Sequence, residues 1–165
     1  MADQVVVPIG IGELRASSDP SEVLVAYGLG SCIGVCLYDP GSGVGGLAHV
    51  MLPNSAEALI QRPLSKFADH AVPMLIEEMR KLGVVQRRLV CKIAGGAQML
   101  VGPGFSGNGF NVGERNIEAV KAALARHKVP LVKAEVGGNR GRTLSVHLAS
   151  GRIVVRTIGE KEFEL

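Results

Sequence analysis

Alternating apolar residues in the first third of the chain predict a β-hairpin. Residues 33–38 place Ile33, Val35 and Leu37 on one face, while Cys32 belongs to the opposite face. Residues 44–52 form the returning strand. The connection reads Asp-Pro-Gly-Ser over residues 39–42, with Pro at the second and Gly at the third place of a turn. We therefore expect a tight turn centred on Pro40 and Gly41.

Two later segments carry apolar residues at three- and four-residue steps, which is the spacing of an amphipathic helix. The first covers residues 64–82, and Gly83 follows it as a C-terminal cap. Pro73 lies inside this segment, so we expect a kink there or a helix that begins a turn later. The second covers residues 114–127, with a buried stripe formed by Ile117, Val120, Ala123 and Leu124.

Short apolar runs bounded by turn residues predict further strands, at residues 23–26, 88–94, 131–136, 143–148 and 153–157. About six or seven strands and two helices indicate an α/β (α+β) fold. We expect mixed or antiparallel sheets with the two main helices packed on one side. The 165 residues contain no repeat or low-complexity linker, so residues 1–165 are predicted to form one domain.

Composition narrows the function classes. The formal charge is only +3, from 18 Lys and Arg against 15 Asp and Glu, which lacks the concentrated basic field of a nucleic-acid binder. Aromatic residues make up 4% of the chain, too few for base stacking. No apolar run reaches the length of a membrane span, and the first residues do not resemble a signal peptide. A cytoplasmic protein with three reduced cysteines and no membrane insertion is expected.

The hairpin offers one pair of residues with catalytic chemistry. With Pro40 and Gly41 at the centre of the turn, Cys32 lies directly opposite His49. Opposed side chains in an antiparallel pair have β-carbons about 4.5–5.5 Å apart, within reach of a hydrogen bond. A slip of one residue would pair Cys32 with Val50 instead. The turn residues favour the pairing with His49.

A thiol beside an imidazole can carry out nucleophilic catalysis on an acyl carbon, with histidine as general base and then acid. Backbone N–H groups near Gly30 and Ser31 are candidates for stabilising an oxyanion, and the nearby Gly34 would leave room for a substrate. This chemistry predicts a lowered pKa for Cys32. Unreactive buried cysteines are common, however, so spacing alone leaves open that Cys32 is an inert core residue.

Other groups of residues have weaker claims to chemistry. Cys32, Cys36 and His49 are poorly spaced for one tetrahedral zinc ion, so no metal is expected. Gly95 and Gly96 indicate a tight turn or close backbone packing. The basic residues of the late turns, Arg140 and Arg142, are expected to be solvated.

Several motifs resemble the CheD family of chemoreceptor glutamine deamidases. The hairpin contributes two of them, Gly28-Leu29-Gly30-Ser31-Cys32 and Gly45-Gly46-Leu47-Ala48-His49-Val50-Met51-Leu52-Pro53. The resemblance continues through Gly95-Gly96-Ala97-Gln98-Met99, Gly113-Glu114-Arg115-Asn116 and Gly137-Gly138-Asn139-Arg140-Gly141-Arg142. The motifs therefore extend over nearly the whole chain.

This resemblance implies hydrolysis of selected glutamine side chains on methyl-accepting chemotaxis receptors to glutamate and ammonia. It implies Cys32 as the nucleophile, through a thioester, and His49 as general base and acid. No cofactor is implied, and the CheC phosphatase is implied as a partner. The loop at residues 102–109 is a candidate for receptor contact.

One position departs from the family pattern. The family commonly has a Thr six residues before the nucleophile that orients the histidine, and here Ala26 occupies that position. A backbone carbonyl, a water or another side chain must then fix the imidazole tautomer. The alternative function is therefore a weakly active or inactive CheD-like binding module that acts through CheC and receptors.

Overall fold

A computed structural model describes residues 3–57, 63–100, 103 and 111–165. The strands, in chain order, are β1 (Val5–Pro8), β2 (Leu14–Ser17), β3 (Glu22–Leu29), β4 (Ile33–Tyr38), β5 (Gly45–Val50), β6 (Val90–Gly95), β7 (Leu131–Val136), β8 (Arg142–His147), β9 (Arg152–Thr157) and β10 (Phe163–Glu164). The two α-helices are α1 (Ala68–Lys81) and α2 (Val112–Arg126).

The strands form two five-stranded sheets that lie in separate layers. The first sheet has the order β1-β3-β8-β9-β10, and the second has the order β2-β5-β4-β6-β7. Among the ten described strands, β1 pairs with β3 and β6 with β7 in parallel, and the other strand pairs are antiparallel. One face of the second sheet packs against both helices, in a core that includes Val35, Leu75 and Val120. Its other face packs against the first sheet, where Cys36 and Leu144 share a core. The predicted α/β class with mixed sheets and helices on one side is confirmed.

Both predicted helices are present. The first begins at Ala68, after a short 3-10 turn over Leu64–Lys66, and Pro73 lies inside it. Pro73 therefore does not mark the start of the helix. Gly83 follows its end with φ of 88° and donates its N–H to the carbonyl oxygen of Arg80, as a C-terminal cap does. In α2 the predicted stripe is buried, and Asn116 is buried with it.

The hairpin formed by β4 and β5 has a different register from the predicted one. Tyr38 pairs with Gly45, so six residues form the connection and Gly34, not Cys32, lies opposite His49. The connection is longer because Asp39 organises it. The Asp39 carboxylate accepts hydrogen bonds from the N–H of Gly41 at 3.0 Å and the hydroxyl of Ser42 at 2.7 Å. The prediction that Cys32 directly faces His49 is therefore wrong.

Asp39 makes the stability of this hairpin sensitive to acid. Burial alone would raise the pKa of Asp39, but Ser42, Gly41 and the guanidinium of Arg88 more than offset it and hold the pKa below its ordinary value of 3.8. The lowered pKa means that the carboxylate stabilises the fold above pH 3.8, and that this contribution is lost as pH falls through the lower folded value. We expect Asp39→Asn to lower the free energy of unfolding by about 1–2 kcal/mol at neutral pH. Urea denaturation of wild type and variant, from neutral pH to about pH 3, measures this loss in the free energy of unfolding.

The control for this prediction is Asp19→Asn, because Asp19 also has a lowered pKa but lies in an exposed turn outside the hairpin. The difference between wild type and Asp39→Asn should shrink toward pH 3, where the wild-type carboxylate is being protonated. A difference that stays constant over the whole pH range would contradict an ionised Asp39 as the organiser of the turn.

Candidate active site

Cys32 and His49 lie on the same face of the second sheet, in the layer between the two sheets. Gly34 is directly opposite His49. Cys32 lies one residue before β4, and continuing the register by that residue places Cys32 and His49 at diagonal positions. Diagonal neighbours in an antiparallel pair are about 7–8 Å apart, a span that a long or ring-shaped side chain can bridge. Both residues are nearly enclosed, with 8% of Cys32 and 3% of His49 exposed. The structure therefore brings the two predicted residues to one buried site by a different register.

A backbone carbonyl orients the imidazole of His49. Its Nδ1 lies 2.9 Å from the carbonyl oxygen of Ile9, which can only accept a hydrogen bond, so Nδ1 carries a proton. Ile9 is itself held by its own N–H, which donates to the carbonyl oxygen of Val25 at 2.7 Å. The methyl group of Ala26 takes no part in this interaction. The Ile9 carbonyl, in the segment after β1, therefore orients the His49 imidazole, for which position 26 offers no hydroxyl.

The other imidazole nitrogen is available for chemistry. Nε2 of His49 is buried and has no hydrogen-bond partner among the described residues. In the neutral ring, a proton on Nδ1 leaves the lone pair on Nε2. A buried acceptor without a partner is uncommon and costs free energy, which is typical of groups kept for a reaction. His49 is therefore poised to accept a proton.

The three cysteines are all buried, and burial raises the pKa of each thiol. Loss of hydration raises the pKa of Cys32 above its ordinary value of 9.0. Burial raises the pKa of Cys36 to about 12, and it raises the pKa of Cys91 well above the ordinary range. The predicted lowering of the Cys32 pKa is wrong. The resting site holds a thiol, so any nucleophilic attack by Cys32 needs a base to remove its proton.

The backbone N–H groups at and just before Cys32 differ in whether they already donate a hydrogen bond. The N–H of Gly30 donates to the carbonyl oxygen of Gly28 at 3.0 Å and is therefore already used. Among the described residues, no group accepts a hydrogen bond from the N–H of Ser31 or of Cys32. Gly30 and Ser31 are partly exposed, so this loop forms the side of the site nearest to solvent. Of the two predicted oxyanion positions, Ser31 keeps a free donor and Gly30 does not.

Two glycines bring the backbone of β6 against this loop. The N–H of Gly96 donates to the carbonyl oxygen of Cys32 at 2.8 Å. A β-carbon on Gly95, whose φ is 116°, would overlap that same oxygen. The predicted close backbone packing at Gly95 and Gly96 is confirmed. The predicted role of Gly34 is wrong, because Leu144 and Leu29 fill the space beside it and leave no room for a substrate.

Two polar residues near the site have roles that the sequence did not reveal. Asn116 is fully buried, and its Nδ2 donates to the carbonyl oxygens of Ser31 and Met51, each at 2.9 Å. Arg142 is 7% exposed, and its Nη1 donates to the carbonyl oxygens of Gly95 and Gly137. The expectation that Arg142 is solvated is therefore wrong. Both residues lie in sequence motifs that resemble the CheD family, and these motifs could have indicated that the two residues matter.

Arg140 behaves as expected. Its guanidinium is 56% exposed and forms a surface ion pair with Glu160 at 3.4 Å. An exposed pair of this kind contributes little to stability.

No group of three or more His, Cys, Asp or Glu residues in the described ranges is arranged to hold a metal ion. Cys32, Cys36 and His49 share a sheet face without forming such a group. Neither described helix is long and apolar enough to span a membrane. The candidate receptor-contact loop at residues 102–109 lies outside the described residues, apart from Pro103.

Comparison with known proteins identifies relatives over the full chain. A probable chemoreceptor glutamine deamidase CheD from Symbiobacterium thermophilum is 43% identical over 100% of both chains. The chemoreceptor glutamine deamidase CheD of Thermotoga maritima is 44% identical, with 93% of each chain covered. Both alignments are long enough to leave little of either chain unmatched.

Solved structures with a similar fold include one from Bacillus licheniformis. It is the hypothetical protein YfiH of Bacillus licheniformis, with a TM-score of 0.50 and 11% identity. The match covers 83% of this chain and 61% of the YfiH chain, and at this identity it shows the fold alone.

The family model described as CheD chemotactic sensory transduction matches residues 51–157. This match begins just after His49, and the full-length relatives extend the similarity across the hairpin that holds Cys32 and His49. The chain therefore belongs to the CheD family.

Proposed function

We propose that the protein hydrolyses glutamine side chains on chemotaxis receptors to glutamate and ammonia, with Cys32 as nucleophile and His49 as general base and acid. The relatives named as chemoreceptor glutamine deamidases support the substrate class. The observation that carries the chemistry is the unpaired Nε2 of His49, on the same buried sheet face as the Cys32 thiol.

The first half of the reaction forms a thioester. Nε2 of His49 takes the proton of the Cys32 thiol while the sulfur bonds to the amide carbon, and the carbonyl electron pair moves to its oxygen. The N–H groups of Ser31 and Cys32 stabilise that oxyanion. When the carbon–oxygen double bond re-forms, the carbon–nitrogen bond breaks and His49 gives its proton to the leaving ammonia.

The second half hydrolyses the thioester. A water molecule gives a proton to Nε2 of His49 and attacks the same carbon. The carbon–sulfur bond then breaks, and the proton returns to the sulfur, leaving glutamate. The raised pKa of Cys32 fits this sequence of steps, because the thiol then loses its proton during the attack and not before it.

The carbonyl of Ile9 supports an active enzyme in spite of Ala26. By accepting the Nδ1 proton at 2.9 Å, it fixes the tautomer in which Nε2 is the base. It can also stabilise the imidazolium that forms during the reaction. The absence of a threonine hydroxyl at position 26 therefore gives no reason to expect an inactive protein.

The test is incubation of the purified protein with the cytoplasmic fragment of a methyl-accepting chemotaxis receptor. Mass spectrometry should detect a gain of about one mass unit for each glutamine converted, together with released ammonia. Free glutamine, as a control substrate, should be hydrolysed far more slowly than the receptor fragment. An unchanged receptor mass, or hydrolysis of free glutamine alone, would rule out receptor deamidation by this protein.

A role as a binding module is the second candidate, with the CheC phosphatase and receptors as partners. The burial of Cys32, with 8% exposed and a raised thiol pKa, is the observation that favours it. Binding without catalysis would appear as co-elution with CheC or a receptor fragment and no ammonia release.

A cytoplasmic location stays a prediction.

A further inference from the structure

Asn116 joins α2 to both segments of the candidate active site. It is fully buried near the start of the helix, and its Nδ2 carries two hydrogens. One is donated to the carbonyl oxygen of Ser31 and the other to the carbonyl oxygen of Met51, each at 2.9 Å. Ser31 directly precedes Cys32, and Met51 follows His49 by two residues. A single amide group therefore links the two segments that carry the reacting side chains.

The bond to Ser31 also sets the direction of a backbone donor. The carbonyl of Ser31 and the N–H of Cys32 belong to one peptide group, and in a trans peptide they point in opposite directions. When Asn116 holds the carbonyl, the N–H of Cys32 is turned away from the helix. On the other side of Cys32, its own carbonyl is held by the N–H of Gly96 at 2.8 Å. The orientation of the Cys32 backbone is thus fixed on both sides.

The amide is poorly explained as ordinary core packing. Its Oδ1 is buried and has no hydrogen-bond partner among the described residues. A buried polar atom without a partner destabilises the fold, and an apolar side chain of similar size would avoid that cost. Compared with an apolar side chain, the Asn116 amide therefore contributes its two donated hydrogen bonds to Ser31 and Met51.

We infer that Asn116 is a positioning residue, which sets the placement of Cys32 relative to His49 and directs the N–H of Cys32 toward the developing oxyanion. It acts through the carbonyls of Ser31 and Met51 and does not touch the reacting atoms. Because this inference rests on the proposed Cys32–His49 chemistry, it is tested with the same receptor fragment.

Two substitutions separate positioning from packing. Asn116→Leu removes both donors while keeping a similar volume, and Asn116→Asp replaces the donor by a carboxylate oxygen. We expect either change to lower kcat by about 100-fold at neutral pH with little change in KM, since misplaced reacting groups slow the chemical step. Val120→Ala is the matched control, because Val120 is also fully buried in α2 and belongs to the core on the helix side of the sheet. It should destabilise the protein without lowering kcat.

The pH dependence provides a readout that packing alone would not change. A carboxyl group buried against two carbonyl oxygens has a raised pKa, and its protonated form can donate one hydrogen bond again. The kcat of Asn116→Asp relative to wild type should therefore rise as pH falls from about 8 to about 5, while the ratio for Asn116→Leu stays constant. Iodoacetamide labelling of Cys32 in the same variants reports the environment of the thiol without a receptor.

Wild-type kcat and an unchanged Cys32 labelling profile in Asn116→Leu would overturn this inference and leave the proposed function intact. Failure of both Asn116 variants to fold would also overturn it, because Asn116 would then be a core residue first. Receptor deamidation that persists without Cys32 would instead remove the proposed function itself.

Discussion

Replacing Cys32 with alanine is expected to lower the rate of receptor deamidation by at least about 1000-fold, because it removes the sulfur on which the proposed thioester forms. The substitution removes only one sulfur atom, so the fold should be retained even though Cys32 is just 8% exposed. Mass spectrometry of the receptor fragment measures the rate, and circular dichroism checks the fold.

Cys36→Ala is the matched control. Cys36 lies on β4, four residues after Cys32, and shares the core between the two sheets with it. It is fully buried and has a thiol pKa raised by burial to about 12. Its loss should lower stability by about 1 kcal/mol through the space left behind and leave the rate of deamidation unchanged. Equal activities for Cys32→Ala and wild type would contradict the nucleophile assignment. Equal losses in both variants would indicate that a change in packing, and not the loss of a nucleophile, lowers the rate.

The same pair of variants separates the two candidate functions. A binding module should retain its affinity for CheC or a receptor fragment after Cys32→Ala, and it should produce no ammonia before the substitution either. A deamidase should lose ammonia release and keep the binding. Measuring both properties on one protein preparation therefore distinguishes them.

Periodicity predicted the elements whose side chains alternate between solvent and core or between two cores. The helix α2 and the strand β4 are examples, since each buries a regular set of apolar residues. The strands β1, β2 and β10 were not predicted because they have two to four residues each, and β1 and β10 are largely exposed. The pairing of β1 with β3 and of β2 with β5 also joins strands that are not consecutive in the chain, which a local pattern does not contain.

The register of the hairpin was beyond a local prediction for a related reason. The residues Pro40 and Gly41 suit a tight turn, but the carboxylate of Asp39 also binds Arg88, which is 49 positions away. That ion pair, at 3.0 Å, helps to close the longer connection. The sequence predicted that Cys32 and His49 share one face through direct pairing, whereas the observed register pairs Gly34 with His49.

The residues that orient the site come from distant parts of the sequence. The carbonyl of Ile9 reaches His49 across 40 positions, and the amide of Asn116 reaches Ser31 across 85 positions. A backbone carbonyl has no sequence signature at all, because every residue has one. Asn116 was visible only as part of a family motif, with no physical role attached to it.

Gly95 is the position where the backbone itself controls the site, and we expect Gly95→Ala to be the most disruptive single methyl addition near Cys32. The added β-carbon would overlap the carbonyl oxygen of Cys32, and the φ of 116° is unfavourable for any other residue. Gly83→Ala is the matched control, since its φ of 88° carries a similar strain while nothing lies within 4 Å of the new carbon. We expect Gly83→Ala to lower the free energy of unfolding by about 1–2 kcal/mol and to leave deamidation unchanged. For Gly95→Ala we expect a loss of about 4 kcal/mol or more, and a fall in the deamidation rate of whatever protein folds. Urea denaturation of the two variants gives the comparison, and equal losses of stability would show that β6 does not press on the Cys32 carbonyl.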